Sequence, residues 1–129
     1  MKRRALNQQF GMLLLSVLAV ITATGQAANS SEWDITGSRW RLTYTSNDGD
    51  REFVLDFAKG GTLRAFRPDG TVYGSEETDT WEQDGKELYF YFTNRYSSYA
   101  GKFLTVNLIE GTAKNVRNLS WEFELTRIK

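Results

Sequence analysis

The stretch Leu119-Ser120-Trp121-Glu122-Phe123-Glu124-Leu125-Thr126 decides the fold class. Apolar side chains fall on every second position, with polar ones between them. A chain of that period turns one face to a core and the other to water, which is a half-buried β-strand. Working backwards, the same alternation returns. Trp40, Leu42 and Tyr44 alternate with Arg39, Arg41 and Thr43, and Phe53, Leu55 and Phe57 with Glu52, Val54 and Asp56. Leu88, Phe90 and Phe92 share one face of a strand over residues 87–93, with Tyr89 and Tyr91 on the other.

Turn chemistry separates these runs: Asn47-Asp48-Gly49, Gly60-Gly61, Pro68-Asp69-Gly70 and Asp84-Gly85 each interrupt the alternation. Between them the pattern predicts strands over 62–67, 71–74, 78–83 with Trp81, and a long one over 102–109. Residues 94–100 and 111–118 read as loops. The sum is an all-β domain of eight strands joined by short connections. Sequential antiparallel hairpins of this kind close into an up-and-down barrel, which leaves no exposed edge. A Greek-key sandwich has the same alternation and stays open as an alternative. An outer-membrane barrel does not fit, because Arg39, Arg41, Glu52, Asp56, Glu122 and Glu124 would face lipid.

The N-terminus is of a different kind. Lys2, Arg3 and Arg4 precede an apolar run over residues 12–23, too short to span a bilayer, which needs about 20 residues. Ala23, Gly25 and Ala27 supply the small residues of a cleavage site. Residues 1–27 are thus expected to form a helical, cleavable signal peptide, 28–36 a lead-in segment and 37–129 the barrel. The expected destination is the periplasm or the exterior, with no membrane span left after cleavage. Loss of the three N-terminal cations leaves 13 basic residues against 16 acidic ones, a net charge of −3. Such a balance lacks the electrostatic footprint of a nucleic-acid binder.

The run Gly37-Ser38-Arg39-Trp40 resembles the glycine-then-tryptophan opening of the lipocalin and avidin barrels, the calycin superfamily. The spacing departs by one residue from the usual lipocalin pattern. The resemblance implies that an arginine of the last strand packs across Trp40 and closes the barrel's base, and Arg127 stands at the matching place. The stretch from Tyr99-Ala100-Gly101 to Trp121-Glu122-Phe123 is also similar to small exported bacterial lipocalin-like proteins. None of the polar residues by which avidins hold biotin can be placed in this chain.

With no histidine and no cysteine, Ser-His-Asp and Cys-His nucleophile systems and the usual zinc sites are excluded, as is a disulfide framework. Glu76, Glu77, Asp79, Glu82 and Asp84 are dense in carboxylate but lack the spacing of a calcium loop, and read as a solvated acidic hairpin. Gly60, Gly61 and Gly70 read as turn glycines, since strands follow them rather than a helix N-terminus. Arg39, Arg41, Arg51, Arg64 and Arg67 read as the solvated side of a sheet, paired across strands with Glu52 and Asp56.

No catalytic residue, metal site or cofactor is expected, and the chain reads as a binding protein rather than an enzyme. So many inward rings leave room for no more than a shallow pocket at one end of the barrel, suited to a small apolar ligand. The competing expectation is a partner protein of the cell envelope, met by an exposed tyrosine surface. Tyr89, Tyr91, Tyr96 and Tyr99, on and beside the 94–100 loop, are the candidate binding residues for either; as strand formers they also need no function at all.

Overall fold

Nine strands form in the computed structural model, which describes residues 32–129. The expected signal peptide and residues 28–31 of the lead-in segment lie outside those. The strands are β1 (Arg39–Ser46), β2 (Gly49–Ala58), β3 (Thr62–Phe66), β4 (Val72–Tyr73), β5 (Thr80–Asp84), β6 (Glu87–Phe92), β7 (Ser97–Thr105), β8 (Leu108–Asn115) and β9 (Ser120–Arg127). All pairings are antiparallel.

Each long strand except β5 pairs with its predecessor in sequence, and β9 returns to β1 with Arg127 opposite Trp40 and Phe123 opposite Tyr44. The sheet is therefore closed, an eight-stranded barrel with β4 as an extra strand on β3. Closure by sequential strands excludes the sandwich alternative.

The expected count of eight staves holds, but two of its members change. The segment 71–74 forms only the short spur β4, and β5 takes the place beside β3 through the single pair Thr62↔Thr80. The single strand expected over 102–109 is instead a hairpin, β7 turning into β8 at Val106 and Asn107. Neither turn residue is glycine or proline, so the sequence shows no break there. The loops expected over 94–100 and 111–118 are correspondingly shorter, because β7 begins at Ser97 and β8 runs on to Asn115.

The inward face of the staves fills the lumen from the base upward. Lead-in residues fold over that base. Ile35 is fully buried, and its N–H donates to Gln83 Oε1 at 3.0 Å. Gly37 N–H donates to the Phe57 carbonyl at 2.7 Å and Arg39 N–H to that of Lys129 at 2.8 Å. Trp40 is fully buried there, its indole N–H donating to Ser38 Oγ at 2.7 Å and its ring edge-on to Phe103 at 5.8 Å. The Arg127 guanidinium lies 4.8 Å from the centre of the Trp40 ring, and its Nε–H donates to the Val106 carbonyl at 3.1 Å. Above this, Phe57, Phe90 and Phe123 pack edge to face around the axis at 5.5–5.7 Å.

On the outer wall four of the five arginines expected to be paired are so, and the fifth, Arg67, instead lies over the Tyr73 ring and donates to the Val72 carbonyl at 2.9 Å. Arg39 holds Asp56, its partner across the β1–β2 ladder, through two hydrogen bonds of 2.6 and 2.9 Å. Arg41 meets Glu52, Arg51 meets Asp48, and Arg64 meets Glu76. These exposed pairs contribute little, roughly 0–1 kcal/mol each.

Candidate binding site

At the end opposite Trp40 and Arg127, inward positions carry rings from six strands: Tyr44 on β1, Phe53 on β2, Tyr73 on β4, Phe92 on β6, Tyr99 on β7 and Trp121 on β9. They touch in a closed circuit. Centroids lie 5.6 Å apart from Trp121 to Tyr44, 6.4 Å on to Phe53 and 4.3 Å on to Tyr73. The circuit closes through Phe92 at 6.0 Å, Tyr99 at 5.6 Å and back to Trp121 at 5.8 Å. On β8 the matching position is Ala113, opposite both Tyr99 and Trp121, and its small side chain adds nothing to the collar.

The collar borders a half-open cavity of about 420 Å³ at the barrel's mouth, and Tyr44 and Tyr99 also approach each other across it at 6.3 Å. Leu42, two residues deeper on β1, lines it from below, and Thr93, Tyr96, Ser97 and Asn115 line its rim. Among the described residues, no charged side chain lines it. A neighbouring recess of about 430 Å³ shares Tyr44, Asn115 and Trp121 with it and contains Arg51 and Asp48.

Polar atoms in the collar are few, and the Tyr44 and Tyr99 hydroxyls lie together beside the Trp121 indole. Trp121 Nε1 is the one buried side-chain nitrogen or oxygen among the described residues without a hydrogen-bond partner. Burial holds the Tyr99 phenol well above its ordinary range, and the neighbouring Tyr44 phenol adds to the effect. Tyr44 is raised too, again chiefly by burial. The mouth is a place that resists negative charge.

One rim turn is strained. Thr93, Asn94 and Arg95 take φ of 54°, 53° and 70°, a left-handed run without a glycine. A buried carboxylate holds it. Asp79, 1% exposed, accepts from Thr93 N–H and Ser75 N–H at 2.9 Å each and from Thr78 Oγ1 at 3.1 Å. Asp79 is thus no part of a solvated acidic hairpin. It joins two mouth loops, and Gly74 makes room for it, since a Cβ there would lie 2.2 Å from Asp79 Oδ2.

The four tyrosines singled out in the sequence do not form one surface. Tyr96 is 41% exposed and lines the mouth. Tyr99 is buried in the lumen and stacked on Phe90 at 4.5 Å, because its segment is strand rather than loop. Tyr89 and Tyr91 lie on the outer wall, their hydroxyls donating to Glu87 at 2.7 Å and Glu82 at 3.3 Å, with Arg95 over the Tyr91 ring. Of the residues that complete the collar beside Tyr99, Tyr44, Phe53, Phe92 and Trp121 were visible only as core-facing aromatics, and Tyr73 only as a member of the short strand over 71–74. Their distance from the Trp40 end of the barrel is what marks them as mouth residues.

A broader depression of about 750 Å³ lies on the outer wall, lined by Thr43, Thr45, Thr112, Glu110, Glu122 and Glu124 among others. It is a polar surface of outward side chains and offers no enclosure. Comparison with protein-family models, with curated proteins and with solved structures finds no match to this chain.

Proposed function

We propose that this chain is an exported, non-catalytic binding protein that takes a small apolar ligand into the mouth of its barrel. The observation that carries this is the half-open cavity of about 420 Å³ bordered by six aromatic rings at the barrel's mouth. Small-molecule sites are concave, mostly apolar and fall in the range of about 300–1,000 Å³. An eight-stranded barrel is wide enough to hold one small ligand when its upper layer is left unfilled. The lining offers ring faces, hydroxyls and amides and no ionised acid or base, which suits binding better than proton transfer. The resemblance of Gly37, Trp40 and Arg127 to lipocalin-type barrels supports the same role, and residues 1–27 support export.

The test is a titration of the purified chain with 1-anilinonaphthalene, followed by the probe's emission. Saturable one-to-one binding is expected, lost in Leu42→Trp, which fills the cavity from below. Absence of saturable binding, or binding indifferent to Leu42→Trp in a folded variant, overturns the proposal.

A partner protein on the same rim is favoured by one observation. Tyr96, Val116 and Leu119 are 41%, 65% and 51% exposed on two loops that are joined by a hydrogen bond from Val116 N–H to the Tyr96 carbonyl. A partner that still binds Leu42→Trp would mark that rim, not the cavity, as the working surface.

A further inference from the structure

We infer that the barrel docks onto an anionic membrane surface through one side of its mouth, built by the β6–β7 turn (93–96), the β8–β9 turn (116–119) and Lys114 at the end of β8. Of the charged and apolar residues it uses, only Tyr96 also lines the cavity, so docking does not depend on a ligand there.

The sequence places the charge. Between Glu87 and Glu110, and again between Glu110 and Glu122, the chain has no aspartate or glutamate, and both turns fall in those stretches. Arg39, Arg41, Arg51 and Arg64 each hold a carboxylate, whereas Arg95, Lys114 and Arg117 make no ion pair among the described residues. Arg95 lies over the Tyr91 ring, 4.0 Å from its centre, and stays exposed to water, as do Lys114 and Arg117. The acids of the mouth stand on other loops: Asp48 and Asp50 at the β1–β2 turn, Asp69 between β3 and β4, Glu76 and Glu77 before β5. Of these, Asp48 and Glu76 are already paired with Arg51 and Arg64.

Apolar exposure coincides with this charge. Tyr96, Val116 and Leu119 belong to the same two turns, and Val116 is 65% exposed. A bilayer interface takes both kinds of side chain at once. Aliphatic groups enter the acyl boundary, tyrosine sits at headgroup level, and lysine and arginine meet lipid phosphates. A stable protein interface instead buries about 800 Å² on each partner, over roughly 20–30 residues. Two short turns fall far short of that.

The chain has no cysteine, so Val116→Cys can carry a single environment-sensitive dye, with Thr112→Cys on the outer wall as the control. The chain, purified as a bacterial host exports it, is mixed with vesicles of phosphatidylcholine alone or with phosphatidylglycerol added. Anionic vesicles should shift the Val116 dye to the blue and leave the Thr112 dye as in water, and neutral vesicles should move neither. Co-sedimentation of the unlabelled chain should weaken roughly fivefold with each of Arg95→Gln, Lys114→Gln and Arg117→Gln, and further with added salt. Thermal midpoints should not change, since all three side chains are exposed. Leu42→Trp, which fills the cavity, should dock as the unaltered chain does. Docking that survives while the naphthalene probe fails to bind would therefore overturn the ligand reading and support this one. An unmoved Val116 dye, equal binding to neutral vesicles, or full binding by the glutamine variants overturns membrane docking and leaves the cavity reading standing. Soluble polyglutamate bound as tightly as the anionic vesicles also overturns it, and assigns the rim to an acidic protein.

Discussion

Tyr99 brings a phenol into the upper lumen, between the stacked ring of Phe90 and the edges of Phe92, Phe123 and Trp121. Its ordinary ionisation near pH 10.0 is displaced upward, first by burial and next by Tyr44. The folded chain therefore keeps a proton that the unfolded chain releases. The stability gained from the neutral, buried phenol is complete below pH 10.0 and is lost as the pH rises above it. Tyr99→Phe should flatten that loss. Thermal midpoints measured between about pH 9 and about pH 11 should fall less steeply in the variant, with Tyr44 retaining part of the slope. Equal slopes would mean that Tyr99 ionises as if exposed. At this scale the sequence was informative about pairs and poor about depth. Trp40 and Arg127 were legible from a short motif and a strand end. Tyr99 and Asp79 were not, because a tyrosine beside an unrecognised strand start and a carboxylate within an acidic run look the same buried or exposed.

Among the elements, period-two alternation located β1, β2, β6 and β9, since each has one dry face. The connections were harder. The turn at Val106 and Asn107 and the left-handed run at Thr93, Asn94 and Arg95 have none of the glycine that usually announces such geometry. Conversely, Gly111 was expected to open a loop, and it is a strand residue of the β7–β8 hairpin paired with Gly101. Their role there is close approach. A Cβ at Gly111 would lie 2.0 Å from the Ala100 carbonyl oxygen, which is backbone and cannot swing aside. A Cβ at Gly101 would meet Ile109 and Phe123 at 2.8 and 3.0 Å. Gly111→Ala should therefore push the two strands apart and cost about 2 kcal/mol, typical of forced overpacking. The urea midpoint measures it, and an unchanged midpoint would show that the hairpin can part without loss.

Across the whole molecule, closure is uneven. The β1–β9 junction runs in continuous register from Trp40 to Tyr44, and the lead-in segment and Arg127 lock the base behind it. The β3–β5 junction has the single pair Thr62↔Thr80, flanked by hydrogen bonds from Leu63 N–H to the Asp79 carbonyl at 3.1 Å and from Trp81 N–H to the Gly61 carbonyl at 3.0 Å. Above it β5 has left β3, and the spur β4 covers the exposed edge while adding Tyr73 to the collar. A barrel opens where fewest bonds must break together, so local opening should begin at this seam rather than at β1–β9. Native-state hydrogen exchange should then show the amides of Leu63 and Trp81 exchanging at least about tenfold faster than the slowest amides of β1 and β9. Because Tyr73 stands next to the seam and in the cavity wall, a bound mouth ligand should slow exchange at Leu63 and Trp81 more than at the base. Uniform protection around the barrel would show that the seam is held as firmly as the rest. Protection of the seam that ignores a bound ligand would uncouple β4 from the mouth.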